Sequence, residues 1–377
     1  MPDPRIAVLG TGAVGAMTAW RLARRGADVL ALDSFSPGHD RGASAGESRI
    51  FRTLYKEGSA YVPLLRRSQV LWRELESSAD VDLLTLRGGL TIGAADHPAV
   101  RSVLRSAAEH DLPHEVIDTD RARERFPQHH LDDGEVAVFD PAAGVLRPEP
   151  AVQAALRAAA GAGARVLPHH PVRDVAETAD GWRITSGDTV FDVDHVVFAP
   201  GPWAPQLEPL RPLPVHAEVI TACWFAVGDV PAHRPESLPV AIRRHREAGF
   251  SCYPALDGVS IKIIPQHARP EVSRPEDLPR TADPAFARAV SQSVQRFLPG
   301  ATPHPVRIST YAEGFTPDEH GLVGPLPGRG RATVLTGFCG HGFKLAPVFG
   351  EVGADLALEG VTEHEVSWLD PARFPAT

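Results

Sequence analysis

The feature that most constrains the fold is the glycine pattern GTGAVG at residues 10–15, together with what surrounds it. The run RIAVLG (5–10) before it is apolar and of strand length, and the segment after it has helical spacing of apolar residues up to Gly26. A second apolar run then ends in Asp33. A strand, G-x-G-x-x-G, a helix, a strand and an acidic residue in one compact unit are typical of a Rossmann-type dinucleotide-binding fold.

Each glycine of this pattern has a physical role in such a unit. Gly10 permits the tight turn after the strand, Gly12 lets the backbone approach a pyrophosphate, and Gly15 lets helix and strand pack closely. The amino end of the helix offers N–H donors and a positive dipole end to phosphates. Asp33 stands 18 positions after Gly15, where an acidic residue accepts hydrogen bonds from a ribose. We therefore predict a bound dinucleotide.

The second strand is followed by a long loop. Residues 34–52, SFSPGHDRGASAGESRIFR, are rich in glycine and serine and carry arginines at their end. A nicotinamide-binding domain would continue here into another short crossover helix and strand. Loops of this length inside compact domains are usually functional, so we expect this one to lie at the site.

Composition excludes several classes of function. A net charge of −9, with no tract rich in lysine or arginine, argues against nucleic-acid binding. No window approaches 18 uninterrupted apolar residues and no charged leader precedes an apolar run, so we expect a cytoplasmic protein without a membrane span. The three cysteines are scattered, which fits reduced thiols. The histidine pairs lack metal-ligand spacing, and we expect no metal site.

The rest of the chain mixes helices and strands, and 377 residues are enough for two domains. Residues 83–94 are predicted to form a strand pair around a glycine turn, and residues 181–201 a hairpin followed by a buried strand. Helices are predicted at 101–111 and 121–126. Residues 211–309 consist mostly of alternating strands with one helix. The fold class is therefore α/β (α+β).

Four parts of the chain carry a resemblance to a known family. They are GTGAVG with Asp33, GESRIFRTLYKEGSAYVPLLRRSQVLW (46–72), FDPAAGVLRPE (139–149), and DEHGLVGPLPG with TGFCGHGFKLAP (318–347). Nearly end to end, the chain resembles the monomeric sarcosine oxidase and N-methyltryptophan oxidase family of D-amino-acid-oxidase-like flavoproteins. The glycine-rich run near residue 340 is the most specific part, because Gly-Phe-x-Gly-His-Gly-Phe-Lys is not a generic nucleotide signature.

The resemblance implies a bound FAD whose isoalloxazine lies between two domains. A Rossmann-type FAD-binding domain would be discontinuous, and a mostly antiparallel sheet would cover the substrate cavity. The implied FAD-binding domain comprises residues 1–84, 145–210 and 310–377. The implied substrate-binding domain comprises residues 85–144 and 211–309.

The resemblance also assigns roles to charged residues. The chain has only three lysines among its 38 Lys+Arg, and two of them, Lys262 and Lys344, fall on family site positions. Arg52 and Lys344 match the positions that hold a substrate carboxylate, Lys262 matches a lysine that activates dioxygen, and Arg49 matches an arginine at the flavin edge. Lys262, Arg49 and Lys344 are thus the expected catalytic residues. The expected substrate-binding residues are Arg52, Lys344, Tyr311, Tyr253 and Gln266.

The expected FAD-binding residues lie in the glycine unit, the long loop, two central segments and the C-terminal glycine-rich run. They are Gly10, Gly12, Ala13, Val14, Gly15, Asp33, Ser34, Gly42, Ser44, Ser48, Arg49, Val172, Gly201, Trp203, Ser309, Gly337, Gly340, His341, Gly342, Phe343 and Lys344.

Three positions depart from the family pattern. Ser309 stands where the family carries the cysteine that bonds the flavin, and a hydroxyl cannot replace a thiolate in that bond. We therefore predict non-covalent FAD, with Cys339 as an alternative attachment point. Ala45 replaces a histidine of the flavin loop, and Gln266 replaces a histidine near the substrate, which puts sarcosine itself in doubt as the substrate.

The function implied by the resemblance is that of an FAD-dependent oxidase of an amino acid or N-alkyl amino acid. A C–N bond is oxidised to an imine and O₂ is reduced to H₂O₂, in a monomer whose partners are small molecules. One alternative is an FAD-dependent amine or imino-acid dehydrogenase with another electron acceptor. The other is a non-catalytic dinucleotide-binding protein.

Overall fold

The computed structural model describes residues 5–266, 269–279 and 281–374. These residues form seven α-helices: α1 Ala13–Arg24, α2 Tyr61–Ala79, α3 Pro98–Glu109, α4 Thr119–Arg125, α5 Pro148–Gly161, α6 Pro284–Phe297 and α7 Ala346–Glu359. They also form 21 strands: β1 Arg5–Leu9, β2 Asp28–Leu32, β3 Arg49–Phe51, β4 Leu84–Leu86, β5 Gly89–Ala94, β6 Glu115–Ile117, β7 Glu135–Asp140, β8 Gly144–Leu146, β9 Arg165–Leu167, β10 Val172–Glu177, β11 Trp182–Ser186, β12 Thr189–Val193, β13 His195–Phe198, β14 His216–Ala226, β15 Val240–Arg244, β16 Phe250–Tyr253, β17 Ser260–Pro265, β18 Glu271–Val272, β19 Arg307–Phe315, β20 Leu322–Pro325 and β21 Ala332–Thr336.

A six-stranded sheet carries the glycine unit. Its strand order is β20-β21-β13-β1-β2-β9, and all neighbours are parallel except the edge strand β20. Ile6 and Val8 of β1 pack into the core that contains α1, α5 and α7, whereas Ala7 and Leu9 pack into a second core with Trp182. Successive side chains of a strand point to opposite faces, so this sheet is buried on both.

Small residues let α7 pack directly on its neighbours. A Cβ on Gly350 would lie 2.6 Å from the backbone of Met17 in α1, and one on Gly353 would lie 2.6 Å from Leu335 in β21. Helix α7 ends at Gly360, whose φ of 75° is left-handed. The helix that follows the glycine-rich run is therefore fixed against the helix that follows GTGAVG.

The second large sheet has nine strands in the order β18-β14-β17-β16-β15-β5-β7-β6, with β19 paired to β14. All of its pairs are antiparallel except β15 with β5. One face packs on α6 through a core that includes Phe225, Ile263 and Phe297. The predicted fold class, a Rossmann-type part with a mostly antiparallel second part, is confirmed.

The predicted strand pair within residues 83–94 is wrong. Both strands exist as β4 and β5, but β4 pairs with β8 in a small β3-β8-β4 sheet, while β5 joins the nine-stranded sheet. At the turn between them Gly88 has a φ of +91°. A Cβ on Gly144 of β8 would lie 2.0 Å from Thr85 O, so the glycine lets β8 approach β4 closely.

The remaining local predictions agree with the structure within a few residues. The hairpin and buried strand of residues 181–201 are β11, β12 and β13. The helices predicted at 101–111 and 121–126 are α3 and α4. The domain boundaries stay a prediction; β19, which pairs with β14, runs across the boundary drawn at residue 310. Within the described ranges, no helix is both long and apolar enough to cross a membrane.

Candidate active site

A cavity of about 700 Å³ is lined by residues of both large sheets. Most of the predicted site residues line it: Gly10, Gly12, Ala13, Val14, Asp33, Ser34, Gly42, Ser44, Arg49, Arg52, Val172, Gly201, Trp203, Tyr253, Gln266, Gly337, Gly340, His341, Gly342, Phe343 and Lys344. Residues separated by hundreds of positions thus line one cavity. They include the GTGAVG unit and the glycine-rich run near residue 340.

Five predicted residues do not line this cavity. Lys262 and Tyr311 line a neighbouring cavity of about 20 Å³, which shares Arg49 and Glu313 with the large one. The other three, Gly15, Ser48 and Ser309, line neither of these two cavities.

The glycine unit forms a close-fitting cradle at one end of the large cavity. Gly10 has a φ of +91°, and a Cβ there would lie 2.4 Å from Ala199 O. A Cβ on Gly15 would lie 1.8 Å from Gly10 O, so only glycine allows helix α1 to pack this closely on the turn. Asp33 also lines the cavity, and its Oδ2 accepts hydrogen bonds from the amide and hydroxyl of Thr11 at 2.6 and 3.1 Å.

Arg52 lines the large cavity. Its side chain is only 7% exposed. Its Nη2 donates to both oxygens of Glu57 at 2.8 Å, and its guanidinium lies 4.9 Å from the ring centroid of Tyr55. Its Nε and Nη1 are buried and find no partner among the described residues. A buried guanidinium with two unsatisfied donors is prepared for an anionic ligand.

Lys344 lies on the same side of the cavity and is 6% exposed. Its ammonium is 5.4 Å from the Tyr55 ring centroid and donates to the carbonyl of His341 at 3.1 Å. Helix α2 fixes the backbone here, because Ser68 Oγ and Trp72 Nε1 both donate to Lys344 O, at 2.6 and 3.0 Å. The backbone of Lys344 is thus fixed through its carbonyl, while its ammonium still has N–H donors that a ligand can use.

Burial dominates the protonation of these groups. It lowers the pKa of Lys344 to about 7, and the nearby Arg52 acts in the same direction. Burial would raise the pKa of Glu57, but Arg52 and then Lys56 outweigh it and hold that pKa well below its usual range. Burial lowers the pKa of His341 to about 4, so its imidazole is neutral. At neutral pH Glu57 is therefore ionised beside Arg52 and Lys56.

Lys262 projects from β17 and is 2% exposed. Its Nζ donates to the carbonyls of Gly46 and Ser48, at 2.8 and 2.6 Å, and lies 4.0 Å from the ring centroid of Tyr253. Burial, with a further contribution from Arg49, lowers the pKa of Lys262 well below its usual value. The nine-stranded sheet thereby holds the long loop that follows β2.

The same loop is also fixed by hydrogen bonds to Glu149 and by hydrogen bonds within the loop. Gly46 and Glu47 donate their amides to Glu149 Oε1 at 2.7 and 3.1 Å, and Arg49 donates to Ser48 O at 2.8 Å and Ala43 O at 2.6 Å. Ser48 therefore takes part through its carbonyl rather than its hydroxyl.

Comparison with known proteins identifies this arrangement. The family model described as FAD dependent oxidoreductase matches residues 5–356. The chain belongs to this FAD-dependent oxidoreductase family. It is 37% identical to monomeric sarcosine oxidase of Streptomyces avermitilis, over 100% of this chain and 99% of that protein. It is 29% identical to N-methyl-L-tryptophan oxidase of Yersinia pestis, over 99% and 100% of the two chains. The resemblance to this group of proteins is confirmed.

The fold agrees with a solved structure of the same kind. NikD, an amino acid oxidase essential for nikkomycin biosynthesis, superimposes with a TM-score of 0.87 at 23% identity, over 98% of both chains. As a member of the FAD-dependent oxidoreductase family the protein is an enzyme, which argues against the non-catalytic alternative. The residues present fit FAD. Gly10 and Gly15, where a Cβ would clash with backbone atoms, form a cradle beside the same cavity that contains the unsatisfied nitrogens of Arg52.

Three cavity residues of this flavoenzyme were missed by the sequence analysis. Glu57 balances the charge of Arg52. Glu313 lines both cavities, and burial raises its pKa, with Arg49 and Lys344 opposing. Arg244 lines the large cavity from the end of β15. No local pattern marks Glu313 or Arg244, because each reaches the site through strand pairing, whereas Glu57 reaches Arg52 from five positions along the chain.

Cys339, the alternative attachment point, lines the large cavity with its side chain turned to the protein. Its Sγ lies 3.3 Å from the amide of Thr316 and donates to Gly337 O at 3.1 Å. Burial raises the pKa of this thiol to about 11, so it is protonated at neutral pH. Among the described residues no cluster of His, Cys, Asp or Glu could hold a metal ion.

Proposed function

We propose that this enzyme oxidises a C–N bond of an amino acid or N-alkyl amino acid to an imine and reduces O₂ to H₂O₂. The observation that carries the proposal is Arg52, buried in the same cavity as the glycine cradle, with Nε and Nη1 unsatisfied beside Lys344. Nε and Nη1 each offer a charged N–H donor to a carboxylate oxygen, and the compact ammonium adds a point charge. The substrate carboxylate is bound there, with Tyr253, Gln266 and Tyr311 as further contacts.

The same cations select the protonation state of the substrate amine. Arg52 and Lys344 repel an ammonium group, while their attraction to the carboxylate is unchanged. The chain therefore binds the neutral amine, and no side chain has to remove an amine proton during oxidation. FAD, when bound, supplies the electron acceptor for this step and returns the electrons to dioxygen.

Lys262 is proposed to serve the reaction with dioxygen, and Arg49 to lie at the flavin edge. An ammonium has three N–H donors, and two of those on Lys262 are taken by the carbonyls of Gly46 and Ser48. The third remains for the small cavity, where an N–H donor in a fixed position stabilises an anion formed from O₂ with little reorganisation.

The FAD is proposed to be non-covalent. Ser309 lies on β19, and the strand RISTYAEGF contains no cysteine at any position, so the proposal does not depend on the alignment within this strand. The protein is proposed to act as a monomer. All three cysteines are buried free thiols, which fits the cytoplasm.

A dehydrogenase with another electron acceptor is the second candidate. It is favoured by one observation, namely that Lys262 lies outside the large cavity and gives two donors to loop carbonyls. The two candidates differ only in the step that reoxidises the cofactor.

The test is a screen of the yellow enzyme with N-methyl, cyclic and primary amino acids. Anaerobic bleaching of the flavin by at least one of them, followed by rapid reoxidation and stoichiometric peroxide in air, is expected. Bleaching with slow reoxidation would establish the dehydrogenase instead. If no amino acid bleaches the flavin while esters or amines without a carboxylate do, the carboxylate assignment fails.

A further inference from the structure

Arg244 is a further guanidinium of the large cavity, besides Arg52. It ends β15, lines the cavity, and donates through Nη1 to Gln266 Oε1 at 2.6 Å. Its Nε is buried and finds no hydrogen-bond partner in the described ranges 5–266, 269–279 and 281–374. It also forms no ion pair with a carboxylate of those residues. A buried N–H in this condition loses hydration without compensation unless a ligand supplies an acceptor.

The position of Arg244 is set by rigid neighbours. Ser251 lies on β16, next to Ile242 of β15 on one side and Ile264 of β17 on the other. Gln266 follows β17, and its Nε2 lies 3.5 Å from Ser251 Oγ. Arg244 on β15, Ser251 on β16 and Gln266 directly after β17 therefore form one polar wall of the cavity. Groups placed on paired strands hold a ligand more precisely than groups on a free loop.

The charges in the cavity show what the wall would bind. Glu57 pairs with Arg52 and also with Lys56, whose ammonium is 3.2 Å from Oε1. Among the residues that the structure describes, neither Arg244 nor Lys344 forms an ion pair with a carboxylate. Burial and repulsion from Arg52 lower the pKa of Arg244 to about 10, which leaves it charged at neutral pH. A substrate with one carboxylate compensates the Arg52 and Lys344 side only.

We propose that Arg244, with Gln266, binds a second carboxylate of the substrate. The enzyme then prefers N-alkyl amino acids that carry two carboxylates. This specificity rests on the proposed function, because it assumes that the first carboxylate is held by Arg52 and Lys344. The second carboxylate belongs either to an acidic side chain, as in N-methylglutamate, or to the nitrogen substituent, as in iminodiacetate. Both present the same chemistry to the guanidinium.

The experiment compares kcat/KM for N-methylglutamate, N-methylaspartate and iminodiacetate with that for N-methylglutamine, which has the shape of the first but no second charge. We expect the wild-type enzyme to favour at least one diacid over the amide by roughly 10- to 100-fold, the value of a charge-assisted hydrogen bond. Arg244→Met should collapse that ratio to near one, and Arg244→Lys should restore part of it. Arg246→Met, at an exposed arginine two positions on, should leave the ratio unchanged.

The outcomes separate the specificity from the proposed function. Oxidation of N-methylglutamine as efficient as that of every diacid would overturn the role of Arg244 and leave the oxidase intact. Equal losses for diacid and amide in Arg244→Met would also overturn it, because they would indicate that Arg244 only positions Gln266. If none of these four is oxidised while another amino acid bleaches the flavin, the second-carboxylate specificity is overturned and the proposed function stands. If no amino acid of any kind is oxidised, the proposed function fails, and binding of glutarate against butyrate to the flavin-loaded wild type and Arg244→Met still tests the second site.

Discussion

Lys344 should make carboxylate binding depend on pH. The fall of its pKa from 10.5 to about 7 corresponds to roughly 5 kcal/mol against the buried ammonium. A carboxylate bound beside it returns much of that free energy, so the lysine is protonated in the complex at a pH where it is neutral in the free enzyme. Binding then takes up one proton between the two pKa values.

The sign and size of the effect follow from this linkage. Below pH 7 the ammonium is already present, and the Kd of a monocarboxylate is constant. Above pH 7 the free enzyme loses the charge, and Kd rises tenfold per pH unit, roughly 100-fold by pH 9. Propionate is suitable because it is ionised throughout and cannot be oxidised at a C–N bond. It would be titrated into the flavin-loaded enzyme from pH 5.5 to 9.5, with the change in flavin absorbance as the signal.

The change of slope in Kd near pH 7 is called the break here. Three variants test whether it is due to Lys344. Lys344→Arg stays charged over the whole range and should give a constant Kd. Lys344→Met should give a constant but weaker Kd. Glu313 faces the same ammonium and has a raised pKa, so Glu313→Gln is the control that should keep a break. A constant wild-type Kd from pH 6 to 9, or a break that survives in Lys344→Arg, would refute the reasoning.

Three further predictions concern neighbouring groups. Glu57 raises the pKa of Lys344, so Glu57→Gln should move the break in propionate Kd to lower pH; a break that stays in place would contradict the charge balance at Arg52. Lys262→Met should slow reoxidation of the reduced flavin by O₂ roughly 100- to 1,000-fold in stopped flow, because one fixed donor is lost. Reduction of the flavin by substrate should change little. Equal losses in both half-reactions would argue against a role with dioxygen. Acid precipitation should release all flavin into the supernatant from both wild type and Cys339→Ser; flavin that stays with the wild-type pellet alone would establish attachment at the cysteine.

The parts of the fold that were predictable are those encoded by adjacent residues. The unit from β1 to β2 was recognisable because a turn, a helix start and a close packing contact each need glycine at a defined spacing. Helix α2 was not predicted, although the buried positions Tyr61, Leu64, Leu65, Ser68 and Trp72 follow helical spacing. That signal was local and available.

The choice of strand partners could not be obtained in the same way. Two strands around Gly88 fit the pattern of a hairpin, yet β4 and β5 belong to different sheets. Alternation of apolar residues states that a strand has a buried face but not which strand lies beside it. The same reason hid Arg244, since its place in the cavity follows from the pairing of β15 with β16.

The chemistry of the site was partly accessible through the resemblance. It named Arg52 and Lys344, but the orientation that leaves Nε and Nη1 unsatisfied depends on Glu57, which occupies Nη2. It named Lys262, but not that its ammonium would be committed to the loop at Gly46 and Ser48. The hydrogen bonds of Lys262 are set by contacts across the fold, between residues more than 200 positions apart.

The use of lysine at position 262 in a chain of 35 arginines follows from the space available. The ammonium lies 4.0 Å from the Tyr253 ring, and its two carbonyl acceptors, Gly46 O and Ser48 O, are two residues apart on one loop, beside a cavity of only about 20 Å³. A guanidinium is larger and planar, and its donors form a rigid fork that suits a carboxylate better than two carbonyls of a tight turn. A compact ammonium can hold this loop and still present one N–H to a diatomic molecule. Arginine at this position would therefore disturb the loop at Gly46 and Ser48, whereas Arg52 spreads its guanidinium between Glu57 and two nitrogens that find no partner among the described residues.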